Sequence, residues 1–148
     1  HYLRGEHDKA DALYQQIIAQ DPAYDGLMDF LTGVESAEES YQAAASYLRL
    51  GELKRALERV EQALDVAPDM GHGHNMRAVI LARQARYAEA YQALETAENY
   101  LPTDPGLRLN MAIVRLLQGR RNEATVIYQQ VIEMDSRYKG MLDILEKQ

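Results

Sequence analysis

The sequence predicts an all-α fold, a solenoid of stacked antiparallel helix pairs. The first observation is a period of 34 residues, marked by Pro68, Pro102 and Ser136. The second is a set of small residues that recurs at fixed positions of this period. The third is apolar spacing of the helical kind on both sides of a short break in each period. Repeats of about 20–50 residues are typical of helix pairs that stack along one axis.

Each period contains two predicted helices. In the last full period, Asp104 suits the N-cap of a helix and Pro105 its first turn. Apolar residues then recur at helical spacing until Gly119, and a second helix follows from about Arg121 to Met134. The two preceding periods have the same pattern. The breaks inside the three periods fall at Gly51, Ala85 and Gly119.

The small residues predict where the two helices of a pair touch. Helix backbones approach closely only where neither side presents bulk. The facing alanines are Ala44, Ala78 and Ala112 on the first helices and Ala56, Ala90 and Ala124 on the second. Larger side chains are predicted to fill the space between successive pairs, namely Tyr47, Leu57, Val60, Leu94 and Tyr128.

With units beginning at Ala37, Gly71 and Pro105, this pattern resembles the tetratricopeptide repeat family over residues 37–138. That family places small residues at the eighth, twentieth and twenty-seventh positions of its unit and proline at the thirty-second. The sequence departs from it at Arg115, where an aromatic is usual, and at Arg77, where leucine is usual. Looser packing of the last two interfaces is expected there. The resemblance implies a right-handed superhelix that binds other proteins, and the style of the repeats suggests a bacterial source.

The units set the predicted boundaries within one solenoid domain. They are residues 1–22 as the second half of a truncated unit, 23–36 as a short extra helix and linker, 37–70, 71–104 and 105–138 as full units, and 139–148 as a short C-terminal capping helix. A capping box at Ser36–Glu39 predicts that the first full unit starts a new helix.

A second, longer repeat relates the two ends of the chain. Residues 14–31 resemble residues 128–145 at an offset of 114, which is three units plus twelve residues. Both segments contain Tyr-Gln-Gln and Tyr-x-Gly. The similarity predicts that the tail from Lys139 is a short helix packed on the helix before it; chance likeness between amphipathic helices is the alternative.

Charge is distributed unevenly. Residues 1–40 hold nine acidic and two basic side chains, whereas the remaining residues hold fourteen of each, for a net charge of −7. Without a basic stripe, binding to nucleic acid is not expected. No segment is apolar for long enough to enter a membrane. The absence of cysteine fits either the cytoplasm or a bacterial periplasm, and the chain is expected to be soluble.

By resemblance to the family, the first helix of each pair lines the hollow side of the solenoid. The residues predicted to form a partner-binding groove there are Glu38, Tyr41, Ala45, Leu48, Arg49, His72, Asn75, Val79, Arg83, Leu109, Ile113 and Leu116, with Ala82 and Leu117 beside them. This groove suits an amphipathic helix or an extended peptide with apolar anchors and a carboxylate. Tyr41 and Ala45 stand where chaperone-binding members have Lys and Asn, so chaperone tails are disfavoured.

Neither a metal site nor a catalytic site is expected. His72 and His74, beside Asp69, could contribute to a metal site, but spacing identifies no third ligand, and a solvated interhelix turn is the favoured interpretation. The acidic cluster at Glu35, Glu38 and Glu39 is explained by the start of a helix. No nucleophile elbow or phosphate loop occurs. No enzyme activity, cofactor or metal is therefore predicted.

The sequence leads to three functional hypotheses. The first is a non-catalytic interaction module that binds a peptide or a partner protein in the groove. The second is self-association through the exposed ends of the solenoid, which would make the chain a homo-oligomer. The third is an accessory domain of a larger enzyme or of a bacterial envelope or secretion assembly protein.

Overall fold

The structure is a computed structural model. It describes residues 25–142 and, before them, eight helical positions between residues 8 and 20; in residues 25–35 it describes the backbone only. The sequence predicted one solenoid, whereas the structure divides into two compact units, residues 1–36 and 37–148, which are described separately. The half-unit predicted over residues 1–22 lies largely outside the described residues, as do residues 143–148.

Six helices and one short turn make up the continuous part of the structure. They are α1 (Asp25–Arg49), α2 (Leu53–Val66), α3 (Gly71–Arg83), α4 (Tyr87–Tyr100), α5 (Pro105–Leu117), α6 (Arg121–Met134) and a 3-10 turn at Ser136–Tyr138. No strand occurs between residues 25 and 142, which confirms the all-α prediction. At the start of α5, Asp104 accepts a hydrogen bond from the Leu107 amide, as its predicted N-cap role requires.

The helices pack as pairs that stack on their neighbours. Helix α3 packs along α4 and α5 along α6, while α2 contacts α3 and α4 contacts α5 between successive pairs. The three core clusters contain the predicted alanine contacts: Ala44 with Ala56, Ala78 with Ala90, and Ala112 with Ala124. All six are buried, as the predicted contact between the two helices of each pair requires.

The new helix expected at Ser36 is not found. Helix α1 runs without a break from Asp25 through Ser36 to Arg49, so the capping-box interpretation was wrong. A glycine such as Gly33 in a helix interior costs only about 1 kcal/mol relative to alanine. Continuous backbone hydrogen bonding on both sides is sufficient to carry the helix through it.

The C-terminal helix expected from Lys139 is also not found over residues 139–142. After the turn at Ser136–Tyr138, these residues form turns, and Gly140 has φ +89°. A right-handed helix requires negative φ, so the backbone at Gly140 ends helical geometry there. The remainder of the predicted helix lies outside the described residues.

The breaks inside the three pairs share one backbone geometry. Gly51, Ala85 and Gly119 have φ of +76°, +61° and +77°. The amide of the following residue bonds back five positions in each case, as in Arg86 N to Leu81 O at 2.9 Å. This arrangement is a Schellman motif, which favours glycine at the left-handed position. Ala85 is therefore the strained member of the three.

We expect Ala85→Gly to raise the free energy of unfolding by about 0.5–1 kcal/mol. The left-handed conformation costs a non-glycine residue about 1–2 kcal/mol, part of which is offset by the greater chain entropy of glycine when unfolded. Gly51→Ala and Gly119→Ala should lower the free energy of unfolding by a similar amount. An added Cβ at either position meets no atom within 4 Å, so the left-handed backbone alone accounts for the cost. Urea denaturation measures all three. A stabilising effect of alanine at Gly51 or Gly119 would contradict this explanation.

Candidate functional site

A cleft opens between the first helices of two neighbouring pairs, α3 and α5. Its volume is about 480 Å³ and its lining is mostly apolar. The lining residues are Ala78, Val79, Ala82, Arg83, Tyr87, Leu94, Asn110, Ile113, Val114 and Leu117. The small side chains of Ala78 and Ala82 leave this space open on α3, while Ile113 and Leu117 supply the apolar wall on α5.

Three of the predicted groove residues meet in this cleft. Val79, Arg83 and Ile113 all line it, and Leu117 is 50% exposed at its edge. The sequence interpretation missed Tyr87 and Asn110. Position counting within one helix could not indicate Tyr87, because it lies at the start of α4.

The floor between the two helices contains a polar link. Asn110 Nδ2 donates a hydrogen bond of 2.9 Å to Asn75 Oδ1, which joins α5 to the predicted groove residue on α3. Paired amides of this kind fix the spacing of the two helices and still leave acceptor capacity for a ligand.

Arg83 is the cation of the cleft. Its guanidinium donates to the Leu48 carbonyl oxygen at 3.4 Å, and no carboxylate among the described side chains forms an ion pair with it. Arg49, one repeat period earlier, donates to Ser46 Oγ at 3.2 Å and is likewise without a carboxylate. Both side chains therefore keep N–H groups that could donate hydrogen bonds to a carboxylate.

A second group of predicted residues meets where α1 and α3 adjoin. Glu38 Oε2 lies 3.8 Å from His72 Nε2, and the Tyr41 ring contacts the His72 ring edge-on at a centroid distance of 4.7 Å. Burial raises the pKa of the Tyr41 hydroxyl above its usual value, and the Glu38 carboxylate adds to this. Tyr41 is therefore a neutral hydrogen-bonding group at physiological pH.

The remaining predicted residues lie outside the cleft. Leu109 and Leu116 pack against the cluster of α5 and α6, and Leu48 packs against the cluster of α1, α2 and Ile80. Ala45 is half-buried on α1. The structure thus brings together only part of the predicted groove.

Comparison with known proteins shows which fold the chain resembles. Residues 81–142 match the family model described as tetratricopeptide repeat. Over these residues the chain is therefore similar to tetratricopeptide repeats. No curated protein matches the sequence.

Three solved structures illustrate the likeness in fold. The Arabidopsis OM64 TPR domain is 14% identical with a TM-score of 0.73, covering 78% of this chain and 94% of that one. The first TPR of Spaghetti (RPAP3), bound to the HSP90 peptide SRMEEVD, is 18% identical with a TM-score of 0.72, covering 77% and 90%. The second TPR domain of human RPAP3, in complex with the HSP70 peptide SGPTIEEVD, is 16% identical with a TM-score of 0.69, covering 80% and 99%.

The His-Gly-His motif belongs to a repeat helix. Gly71 to His74 form the first turn of α3, so the interpretation as a solvated interhelix turn was wrong. An added Cβ on Gly71 would lie 2.7 Å from Leu101 Cγ, which explains the glycine by close helix approach. His74 hydrogen-bonds the Pro68 carbonyl at 2.7 Å. Among the described residues, no three metal-binding side chains cluster.

Arg115, which departs from the repeat pattern, joins three helices. Its guanidinium lies 3.5 Å from the centroid of the Tyr91 ring on α4. Its Nε lies 3.2 Å from Glu123 Oε2 on α6, an ion pair without hydrogen-bond geometry. Cation–π contacts contribute up to about 2 kcal/mol when desolvated. Arg115 therefore contacts both α4 and α6 from the position where an aromatic is usual.

Arg77, the other departure, pairs with the preceding repeat. Its Nε lies 3.4 Å from Glu61 Oε1 on α2.

The described part of the chain includes no helix with both the length and the apolar character needed to cross a membrane.

Proposed function

We propose that this chain is a non-catalytic interaction module that binds a peptide segment of a partner protein in the α3–α5 cleft. The observation that carries the proposal is the combination of an apolar lining with Arg83, which no described carboxylate pairs with. An apolar wall with one or two polar groups that fix orientation is the usual composition of a ligand site.

The cleft also limits the chemistry of the ligand. Val79, Ile113 and Leu117 suit one or two apolar side chains, and Arg83 suits a carboxylate close to them. An amphipathic helix or an extended peptide can supply both groups at neighbouring positions.

Solved structures of similar fold support the choice of a peptide ligand. The first TPR of Spaghetti and the second TPR domain of human RPAP3 are bound to peptides of HSP90 and HSP70, respectively. Tyr41 and Ala45 stand at the positions where, by the resemblance, chaperone-binding members of the repeat family have Lys and Asn. We therefore propose a ligand other than a chaperone tail.

The experiment is capture of crosslinked partners from source lysate by the double variant Arg49→Glu, Arg83→Glu. Capture by this variant should fall by about tenfold or more, since a loss of 1.4 kcal/mol changes affinity tenfold. Both side chains are exposed, so helicity and the thermal midpoint should stay close to those of the unmodified chain.

The matched control is Arg59→Glu, Lys139→Glu. It changes the charge by the same amount at two exposed cations outside the cleft. Its captured proteins should equal those of the unmodified chain. Equal capture by both double variants would refute the groove assignment.

A further inference from the structure

Basic residues are concentrated at the breaks between the two helices of each pair. Residues 49–55, 83–89 and 117–123, here called the turn edge, hold seven cations and three carboxylates. The cations are Arg49, Lys54, Arg55, Arg83, Arg86, Arg120 and Arg121. The rest of residues 41–148 is correspondingly acidic, because basic and acidic side chains in residues 41–148 are equal in number.

The structure places these three breaks side by side. Arg83, at the second break, hydrogen-bonds the Leu48 carbonyl beside the first. A cleft of about 470 Å³ joins the second break to the third, with Arg86 and Tyr87 on one side and Gln118 and Arg120 on the other. The three breaks, which carry the seven cations, therefore follow one another along the stack of repeats.

Internal ion pairs leave much of this positive charge available. Arg86 is held by Glu89 at 2.7 Å, but Arg120 lies 3.7 Å from Glu123, and both pairs are solvent-exposed. Exposed pairs of this kind are weak. Within the part of the chain whose side chains the structure describes, no carboxylate pairs with Arg49, Lys54 or Arg83.

Exposed apolar side chains lie among the cations. Leu50 is 74% exposed at the first break, and Leu117 is 50% exposed at the third. A surface with both features fits a partner that is acidic and carries apolar side chains.

We propose that the turn edge binds the acidic N-terminal segment, residues 1–40, of a second copy of this chain. That segment has nine carboxylates against two cations, together with the apolar residues Leu27, Met28, Phe30 and Leu31. Its net charge of −7 complements the net charge of +4 on the turn edge. Since each copy has both surfaces, two copies can satisfy each other reciprocally.

Two copies with a net charge of −7 each repel at long range, and salt decides which effect is larger. At physiological ionic strength the Debye length is about 8 Å, so distant charges are screened while facing charges still attract. Self-association should therefore be strongest at intermediate salt. It should weaken both at very low ionic strength and above about 0.5 M.

The experiment is sedimentation velocity of the full chain from about 1 to 200 μM, a range that detects micromolar affinity. We expect a concentration-dependent dimer. The double variant Lys54→Glu, Arg120→Glu should raise the dissociation constant of the dimer tenfold or more. The control is the double variant Arg59→Glu, Lys139→Glu outside the turn edge, which should change that constant less than twofold. Arg83 also lines the α3–α5 cleft, and Arg49 is changed together with it in the partner-capture experiment. The variants used here leave both residues intact and so test the turn edge independently of partner capture.

A charge-exchange variant identifies the occupant. Asp8 and Glu39 are exposed carboxylates of the N-terminal segment. A chain with Asp8→Lys, Glu39→Lys should bind the Lys54→Glu, Arg120→Glu chain better than either variant binds itself. A monomer at every concentration and salt overturns the proposal. So does dimerisation that the edge variant leaves unchanged, which would indicate association through the solenoid ends instead.

Discussion

Ala90→Leu is expected to lower the free energy of unfolding by about 1–3 kcal/mol, because added methylenes in a well-packed core force helices apart. Ala90 is fully buried and belongs to the same cluster as Ala78, across the α3–α4 contact. An isobutyl group has no space there without separating the two backbones. Urea denaturation followed by circular dichroism measures the change.

The control is Ala88→Leu on the same helix. Ala88 is exposed, so this substitution adds the same atoms outside the core and should change stability by less than about 0.5 kcal/mol. If Ala90→Leu cost no more than Ala88→Leu, close approach of paired helices at the alanines would be the wrong explanation of the repeat.

Tyr128→Ala is expected to cost about 3–5 kcal/mol, the range for removing a buried aromatic side chain. Tyr128 is fully buried among Ala112, Ala124 and Val131. Its hydroxyl donates to the Tyr138 carbonyl at 2.8 Å and accepts from the Leu142 amide at 3.3 Å. Because repeats contact only their neighbours, hydrogen exchange should rise first in α5 and α6.

Tyr128→Phe separates the ring from the hydroxyl. It keeps the packing and removes the two hydrogen bonds, so about 0.5–1.5 kcal/mol per lost bond is expected. A phenylalanine variant as unstable as the alanine variant would mean that the hydrogen bonds to the chain after α6, rather than the core, hold the last repeat.

The regular parts of the fold were predictable because the period repeats the same physical requirement three times. Small residues recur where helix backbones meet, and Gly51 and Gly119 mark left-handed breaks. Even the exception at Ala85 was placed correctly, since its phase and not its identity indicated the break.

The errors came from local signals that tertiary contacts override. Ser36–Glu39 has the residues of a helix start, yet α1 continues through it. The segment around His72 and His74 was assigned to a solvated turn, but Gly71 is buried against Leu101 and Gly73 against Leu64. A single sequence does not show such close approach.

The candidate site was predictable only in part. The resemblance to the repeat family indicated Val79, Arg83 and Ile113, because they stand at its groove positions, and all three line the cleft. Tyr87 lies on a second helix, and the partners of Arg115 lie on α4 and α6. Contacts between different helices depend on the stacking geometry, which residue spacing alone does not supply.

Hydrogen–deuterium exchange of the chain with and without a captured partner tests the central claim most directly. The account predicts protection of α3 around Val79–Arg83 and of α5 around Asn110–Leu117, on the two walls of the cleft. Protection confined to α2 and α6, with α3 and α5 unchanged, would contradict it.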